Sequence, residues 1–244
     1  MGRLNGVNII NFDNTLIYES ELIAKAGKVL DFTNISGLKL FSSLDKLQKL
    51  SKKLLPTMKS INFIGSGDYH HITYSIISNI PYEFSLIVFD NHCDCNDMPN
   101  GTISCGSWIT QASKLPNIYK ILVLGVSKIN AKCLNKNITF LEYNENFLKK
   151  ALSLLKSFSI SKVYISIDKD VLDPKYAITN WDQGKMKLSE LLYILNYIKE
   201  KYTIIGIDVS GESKPYNPLS LILPREIKLN QEANLKILNS IMMN

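Results

Sequence analysis

Apolar, β-branched runs alternate with amphipathic stretches along the whole chain. The runs at Val7–Asn11, Ser60–Ile64, Phe84–Phe89, Lys120–Leu124, Thr139–Leu141, Lys162–Ile167 and Thr203–Ile207 predict strands. Between them, helical patterns fall near Ser20–Lys28, Ser43–Leu54, Ile72–Ser78, Trp108–Ser113, Glu145–Ser157 and Leu188–Tyr202, with a last helix over Gln231–Met242. Several strand runs are apolar at consecutive positions (SLIVF, KILVLG, TIIGI), the pattern of strands buried on both faces of a parallel sheet. Strand–helix alternation then predicts a three-layer α/β/α fold with a mostly parallel sheet. No repeat, low-complexity tract or Pro/Gly linker divides residues 1–244, so one domain is expected.

Composition narrows the function classes. At 45% hydrophobic and 20% charged residues the 244-residue chain is not a disordered one. No run approaches the roughly 18 apolar residues of a membrane span, and the start (MGRLNGVNIINFDN) lacks a leader pattern. Four cysteines (Cys93, Cys95, Cys105, Cys133) are too few and too clustered for a disulfide scaffold; a reducing, cytoplasmic setting is expected. The net charge of +6 comes from lysines scattered singly, with Arg3 and Arg225 as the only arginines. That distribution is a solvated surface, and neither a nucleic acid nor a membrane is an expected partner.

In parallel α/β sheets function gathers at the carboxyl ends of the strands. Here four predicted strands run into polar segments: Gly65-Ser66-Gly67-Asp68-Tyr69-His70-His71-Ile72-Thr73, Asp90-Asn91-His92-Cys93-Asp94, Asp168-Lys169-Asp170-Val171-Leu172-Asp173-Pro174 and Asp208-Val209-Ser210-Gly211-Glu212. All three histidines lie in the first two. Asp90, Asp94, Asp168 and Asp170 would meet in one crevice, where carboxylates repel unless a cation neutralises them. Alternate residues of an extended segment share a face, which groups Asp90 with His92 and Asp94, and Asp168 with Asp170. Mixed carboxylate and imidazole donors without a zinc-type Cys set suit Mn²⁺, and the ligands suffice for two ions.

Three of these segments resemble the signature motifs of the ureohydrolase (arginase/agmatinase/formiminoglutamase) family. Asp90-Asn91-His92-Cys93-Asp94 matches its Asp-Ala-His-x-Asp motif, and Ser166-Ile167-Asp168-Lys169-Asp170-Val171-Leu172-Asp173-Pro174 matches Ser-x-Asp-x-Asp-x-x-Asp-Pro. Gly67–Thr73 is a looser match to Gly-Gly-Asp-His-Ser; His70 is the better ligand candidate there, His71 the runner-up. The resemblance spans Gly65 to Glu212. It implies a two-manganese site held by His70, Asp90, His92, Asp94, Asp168 and Asp170, and a metal-bridging hydroxide that attacks the planar carbon of a guanidino or amidino compound. It also implies a Glu near the last strand that binds a small cationic substrate; Glu212 is the candidate, one residue further from Asp208 than in arginases. A homo-oligomer is compatible with all of this.

The chain also departs from the family. Where many members carry a proton-shuttling His in a Ser-His-Gly segment, this one reads Ser104-Cys105-Gly106, which leaves His71 or Cys105 as candidate proton carriers. The residues with which arginases grip an α-amino acid are not recognisable. Two other readings therefore stand beside the hydrolase: a one-metal, deacetylase-like amidohydrolase of the same architecture, and a non-catalytic metal-binding relative. Lesser features have plainer readings: Asp68 as a helix cap, Cys93 and Cys95 as packing residues, Trp181 and Asp182 as shapers of the pocket. Phe12-Asp13-Asn14-Thr15 superficially resembles a phosphatase nucleophile loop, but position 11 is Asn, so a strand-to-helix turn is expected.

Overall fold

The computed structural model describes residues 4–128, 136–214 and 224–242; Arg3 and Cys133 lie outside these ranges. Its elements are β1 (Val7–Asn11), α1 (Ser20–Lys25), β2 (Lys28–Asp31), β3 (Phe41–Ser43), α2 (Leu44–Leu54), β4 (Ile61–Gly65), α3 (Ile72–Ile77) and β5 (Phe84–Phe89). They continue with β6 (Thr102–Ser104), α4 (Trp108–Ala112), β7 (Ile118–Val126), β8 (Ile138–Glu142), α5 (Phe147–Lys156), β9 (Lys162–Asp168), α6 (Leu188–Lys201), β10 (Thr203–Ser210) and α7 (Pro224–Met242). Eight strands form one sheet in the order β2-β1-β4-β10-β9-β5-β7-β8, and every neighbouring pair is parallel.

Period-two alternation divides the strand side chains between two cores. In β5, Phe84, Leu86 and Val88 face one side with Leu47, Leu50 and Leu54 of α2, Ile72 and Ile76 of α3 and Trp108 of α4. Ile87 and Phe89 face the other, with Phe147 and Leu155 of α5, Leu191 and Ile198 of α6 and Ile237 of α7. This is the expected three-layer arrangement. The seven predicted strands are all present, shifted by no more than three residues at either end. At α2, Ser43 supplies the N-cap, its side chain accepting from the Lys46 amide at 3.3 Å. The Asp13 turn is as expected too: its Oδ1 accepts from Thr15 Oγ1 at 2.6 Å.

Three strands and two helix boundaries differ from the sequence pattern. The first helix stops at Lys25, and Lys28–Asp31 becomes an edge strand with largely exposed side chains, which leave no apolar signature. β3 and β6 form a three-residue antiparallel pair, too short to carry a period. α7 begins at Pro224 rather than Gln231, with proline inside the first turn where a missing N–H is harmless. Among the described residues no helix is long and apolar enough to cross a membrane.

Near the carboxyl end of β7 the sheet comes close to the loop after β9. Gly125 has φ +104°, and a Cβ there would stand 2.3 Å from Val171 Cγ2 and 2.8 Å from Met186 Cε. Gly125→Ala is therefore both strained and overpacked and should destabilise the fold by about 2–4 kcal/mol. Urea unfolding monitored by circular dichroism measures this; a loss well under 1 kcal/mol would contradict the packing described.

Candidate metal centre

β4, β10, β9 and β5 are consecutive in the middle of the sheet, so the loops that leave their carboxyl ends converge. The turn after β4 brings in His70, the segment after β5 brings Asp90, His92 and Asp94, and the end of β9 brings Asp168 and Asp170. His70 Nδ1 lies 3.2 Å from Asp90 Oδ2, 3.3 Å from Asp94 Oδ2 and 3.6 Å from Asp168 Oδ2. His92 Nδ1 lies 2.9 Å from Asp170 Oδ2 and 3.5 Å from Asp90 Oδ1. The donors fall into two groups, His70/Asp90/Asp94 and Asp90/His92/Asp170, which share Asp90. A pocket of about 260 Å³ opens over them, lined by all six residues.

Each donor is held from behind. His70 Nε2 is 2.9 Å from Ser166 Oγ, which itself donates to Asp208 Oδ1 at 2.7 Å; Thr73 Oγ1 donates to the same oxygen at 3.0 Å. Because the Ser166 proton goes to Asp208, Ser166 receives the Nε2 proton of His70. That leaves Nδ1 facing three carboxylates, where it carries a proton in the metal-free protein and would offer its lone pair to a bound cation. Asp94 adopts φ +47°, a left-handed conformation that aspartate tolerates, and Trp108 Nε1 donates to its Oδ2 at 2.8 Å. Asp170 Oδ1 accepts from the Asn91 amide at 3.1 Å, and Asp168 Oδ2 from Ser210 Oγ at 3.1 Å. Two glycines make this approach possible. A Cβ on Gly67 would lie 2.9 Å from Asp168 Oδ2, and one on Gly211, at φ +92°, 2.5 Å from Asp168 Oδ1.

The electrostatics follow from burial and crowding. Burial, reinforced by Asp90, pushes Asp94 up to about 7, and burial with Asp168 and Asp90 holds Asp170 well above the carboxylate range. Burial opposes the charging of His92, but hydrogen bonds to Asp170 and Asp90 prevail and raise it to about 12. His70 is raised in the same way by Asp90 and Asp94. Asp90 alone among the carboxylates is lowered; its burial is outweighed by His70 and His92.

The remaining sequence candidates are placed differently. His71 is fully buried and turned away from the pocket, with Nε2 3.3 Å from Ser42 Oγ; burial and His70 press it down to about 3. It cannot carry protons for the pocket. Glu212, the candidate substrate anchor, is also placed away from the pocket lining. It is 3% exposed and accepts from Lys169 Nζ and from Asn234 Nδ2 at 2.8 Å. Cys105 does line the pocket, but burial and Asp94 push its thiol up to about 12. Asp68 caps nothing: it pairs with Lys214 and accepts from Trp181 Nε1 at 3.1 Å. Cys93 and Cys95 are buried at the pocket wall. Sequence reasoning missed Ser166, Thr73 and Asp208 as supports, although the first two lie inside the matched motifs and the third ends the predicted strand run.

The arginase-family model matches residues 10–220 of the chain. An uncharacterized protein of Thermotoga maritima is 34% identical over 236 residues, 96% of this chain and 89% of that one. Among solved structures, a hypothetical agmatinase from Burkholderia thailandensis superposes with a TM-score of 0.70 at 19% identity, over 95% of this chain and 82% of that one. The Entamoeba histolytica arginase solved with L-ornithine gives 0.69 at 17% identity, covering both chains fully (100% of each). The formimidoylglutamase of Bacillus subtilis gives 0.65 at 16%, over 98% and 87%. At these identities the three structures speak to the fold.

Crowded, raised carboxylates set the pH dependence of the metal-free protein. The unfolded chain releases the Asp94 proton near 3.8 and the His92 proton near 6.5, whereas the folded chain retains them to about 7 and about 12. Between those values the folded state binds more protons, so stability is lost as pH rises. Chelator-treated protein should melt about 5 °C higher at pH 6 than at pH 8 by scanning calorimetry, while protein loaded with Mn²⁺ should show the gap narrowed or reversed. A chelator-treated protein that melts higher at pH 8 would refute the assignment of the cluster's protons.

Proposed function

The chain belongs to the arginase family, and from that premise we propose that it is a manganese-dependent hydrolase of a linear, non-peptide C–N bond in a guanidino or amidino compound. The observation that carries the reading is the pair of donor groups sharing Asp90, each with an imidazole Nδ1 turned inward. His70, Asp90, Asp94 and Asp168 would hold one ion, and Asp90, His92 and Asp170 the other. The donor chemistry fits: oxygen-rich with two imidazoles, and four carboxylates to balance two divalent charges. When bound, the ions supply Lewis acidity at the planar carbon and ionise water at neutral pH.

The chain's own residues supply position and shelter. Ser166 and Asp208 orient His70, Trp108 orients Asp94, and the Asn91 amide orients Asp170. Trp181, edge-on to His92 with ring centroids 6.1 Å apart, walls the pocket against bulk water. Cys105 holds its proton on Sγ at neutral pH and faces the reacting group as a thiol rather than a base.

Elemental analysis of protein prepared without chelator should find close to two ions per chain; one ion would favour the deacetylase-like reading, and saturating metal without turnover the non-catalytic one. Asp94→Ala and Asp170→Ala should each abolish Mn²⁺-dependent urea or ammonia release from a guanidino panel. Ser166→Ala should leave the fold intact but weaken Mn²⁺ binding by about 10–100-fold in a competition titration. Wild-type Mn²⁺ affinity in that variant would remove the role given to the Ser166–Asp208 pair.

A further inference from the structure

Among the described residues, the pocket has no carboxylate free to receive a cation. Glu212 is engaged by Lys169, which is wholly buried, and by Asn234, which also donates to Glu19 Oε2 at 2.8 Å; this cluster lies outside the pocket lining. Asp68, behind Trp181, is engaged by Lys214 and by the indole. The carboxylates that do line the pocket are the four candidate ligands, which two divalent ions would balance. The residues outside the described ranges include no Asp or Glu.

Two other groups line the pocket instead. Trp181 is 39% exposed and stands against Gly67, whose missing Cβ would lie 3.0 Å from Trp181 Cδ1, and its Nε1 is tethered to Asp68. It thus presents an indole beside His92, within reach of the reacting centre. Lys128, at the pocket wall just past the end of β7, is exposed and forms no ion pair among the described residues. Its ammonium is a mobile charge on a long stem, suited to an anion rather than a cation.

We propose that Trp181 takes the place of a carboxylate anchor, receiving the planar cationic head of the substrate on its ring, and that Lys128 selects compounds whose other end is anionic. The substrates would then be guanidino or amidino acids rather than guanidino amines or guanidino α-amino acids. An aromatic face attracts a guanidinium without adding negative charge to a site already crowded with it. This inference rests on the hydrolase reading above and refines its substrate.

The test uses the Mn²⁺-loaded full chain with a guanidino acid and the guanidino amine of matched spacer length. Urea release should favour the acid by about fivefold in kcat/KM, and Lys128→Glu should swing that ratio by about twentyfold toward the amine. Trp181→Ala should raise KM about tenfold with kcat little changed, and Trp181→Phe should recover part of the loss. A second readout is independent of turnover. Of the two tryptophans, Trp108 is buried and Trp181 exposed, so the guanidino acid should quench the native fluorescence and fail to do so in Trp181→Phe. Turnover of both compounds with equal efficiency, or a preference indifferent to Lys128→Glu, overturns this inference and leaves the hydrolase standing. Quenching by the acid without urea from either compound overturns the hydrolase and leaves the recognition. Neither quenching nor turnover overturns both.

Discussion

Four carboxylates buried at the carboxyl edge of one sheet repel one another, and the surrounding structure is organised to hold them there. At an effective dielectric near 20, two like charges 4 Å apart repel by about 4 kcal/mol, so four in a single crevice could not persist on packing alone. The two imidazoles lie between them, with Nδ1 facing carboxylate oxygens at 2.9 to 3.6 Å. Behind them stand groups that fix direction rather than charge: Ser166, Trp108, Ser210 and the amide of Asn91. Gly67 and Gly211 then let two neighbouring loops close on Asp168 without a side chain in the way. Each of these features is needed only because the carboxylates must stay together.

The same edge carries a second charge cluster on the far side of the metal loop. Lys169 lies between two candidate ligands in sequence and points opposite to them, into Glu212, with Asn234 bridging Glu212 to Glu19. Burial and the neighbouring Glu212 raise Glu19 to about 9, so this group holds a proton and spares the cluster one negative charge. A buried ion pair adds little net stability over an apolar pair of the same shape. What it does here is positional: it ties the loop after β9 to the end of β10, to α7 and to the start of α1. The ligand loop is therefore fixed from below by charge and from above by the carboxylate cluster.

Much of this was legible in the chain because the relevant signals are local. Consecutive apolar β-branched runs marked the central strands, and polar motifs immediately after them marked the crevice. The six candidate ligands lie together at the pocket, with His70 rather than His71 turned toward it. What the sequence concealed is orientation decided at a distance. Glu212 has the right residue type beyond the right strand, but Gly211 at φ +92° redirects the chain, and Lys169, forty-three positions earlier, captures its carboxylate. Asp68 reads as a helix cap until Lys214 and Trp181, from other loops, engage it. The edge strand Lys28–Asp31 escaped notice because its side chains are mostly in water and carry no period.

The histidine count makes the departure at Cys105 consequential. The chain has three histidines, two of which face the carboxylate cluster. The third follows His70 directly at the head of α3, where a helical step of about 100° turns it from the pocket toward Ser42. Sealed there and pressed down to about 3, His71 stays neutral through the physiological range, while the Cys105 thiol at about 12 stays protonated. Neither group changes charge near neutrality, so among the described residues neither serves the pocket as an imidazole or thiolate relay. A site that lacks both an anchoring carboxylate and a separate relay is best suited to a substrate that brings its own charge complement, which is the chemistry that Lys128 and Trp181 together present.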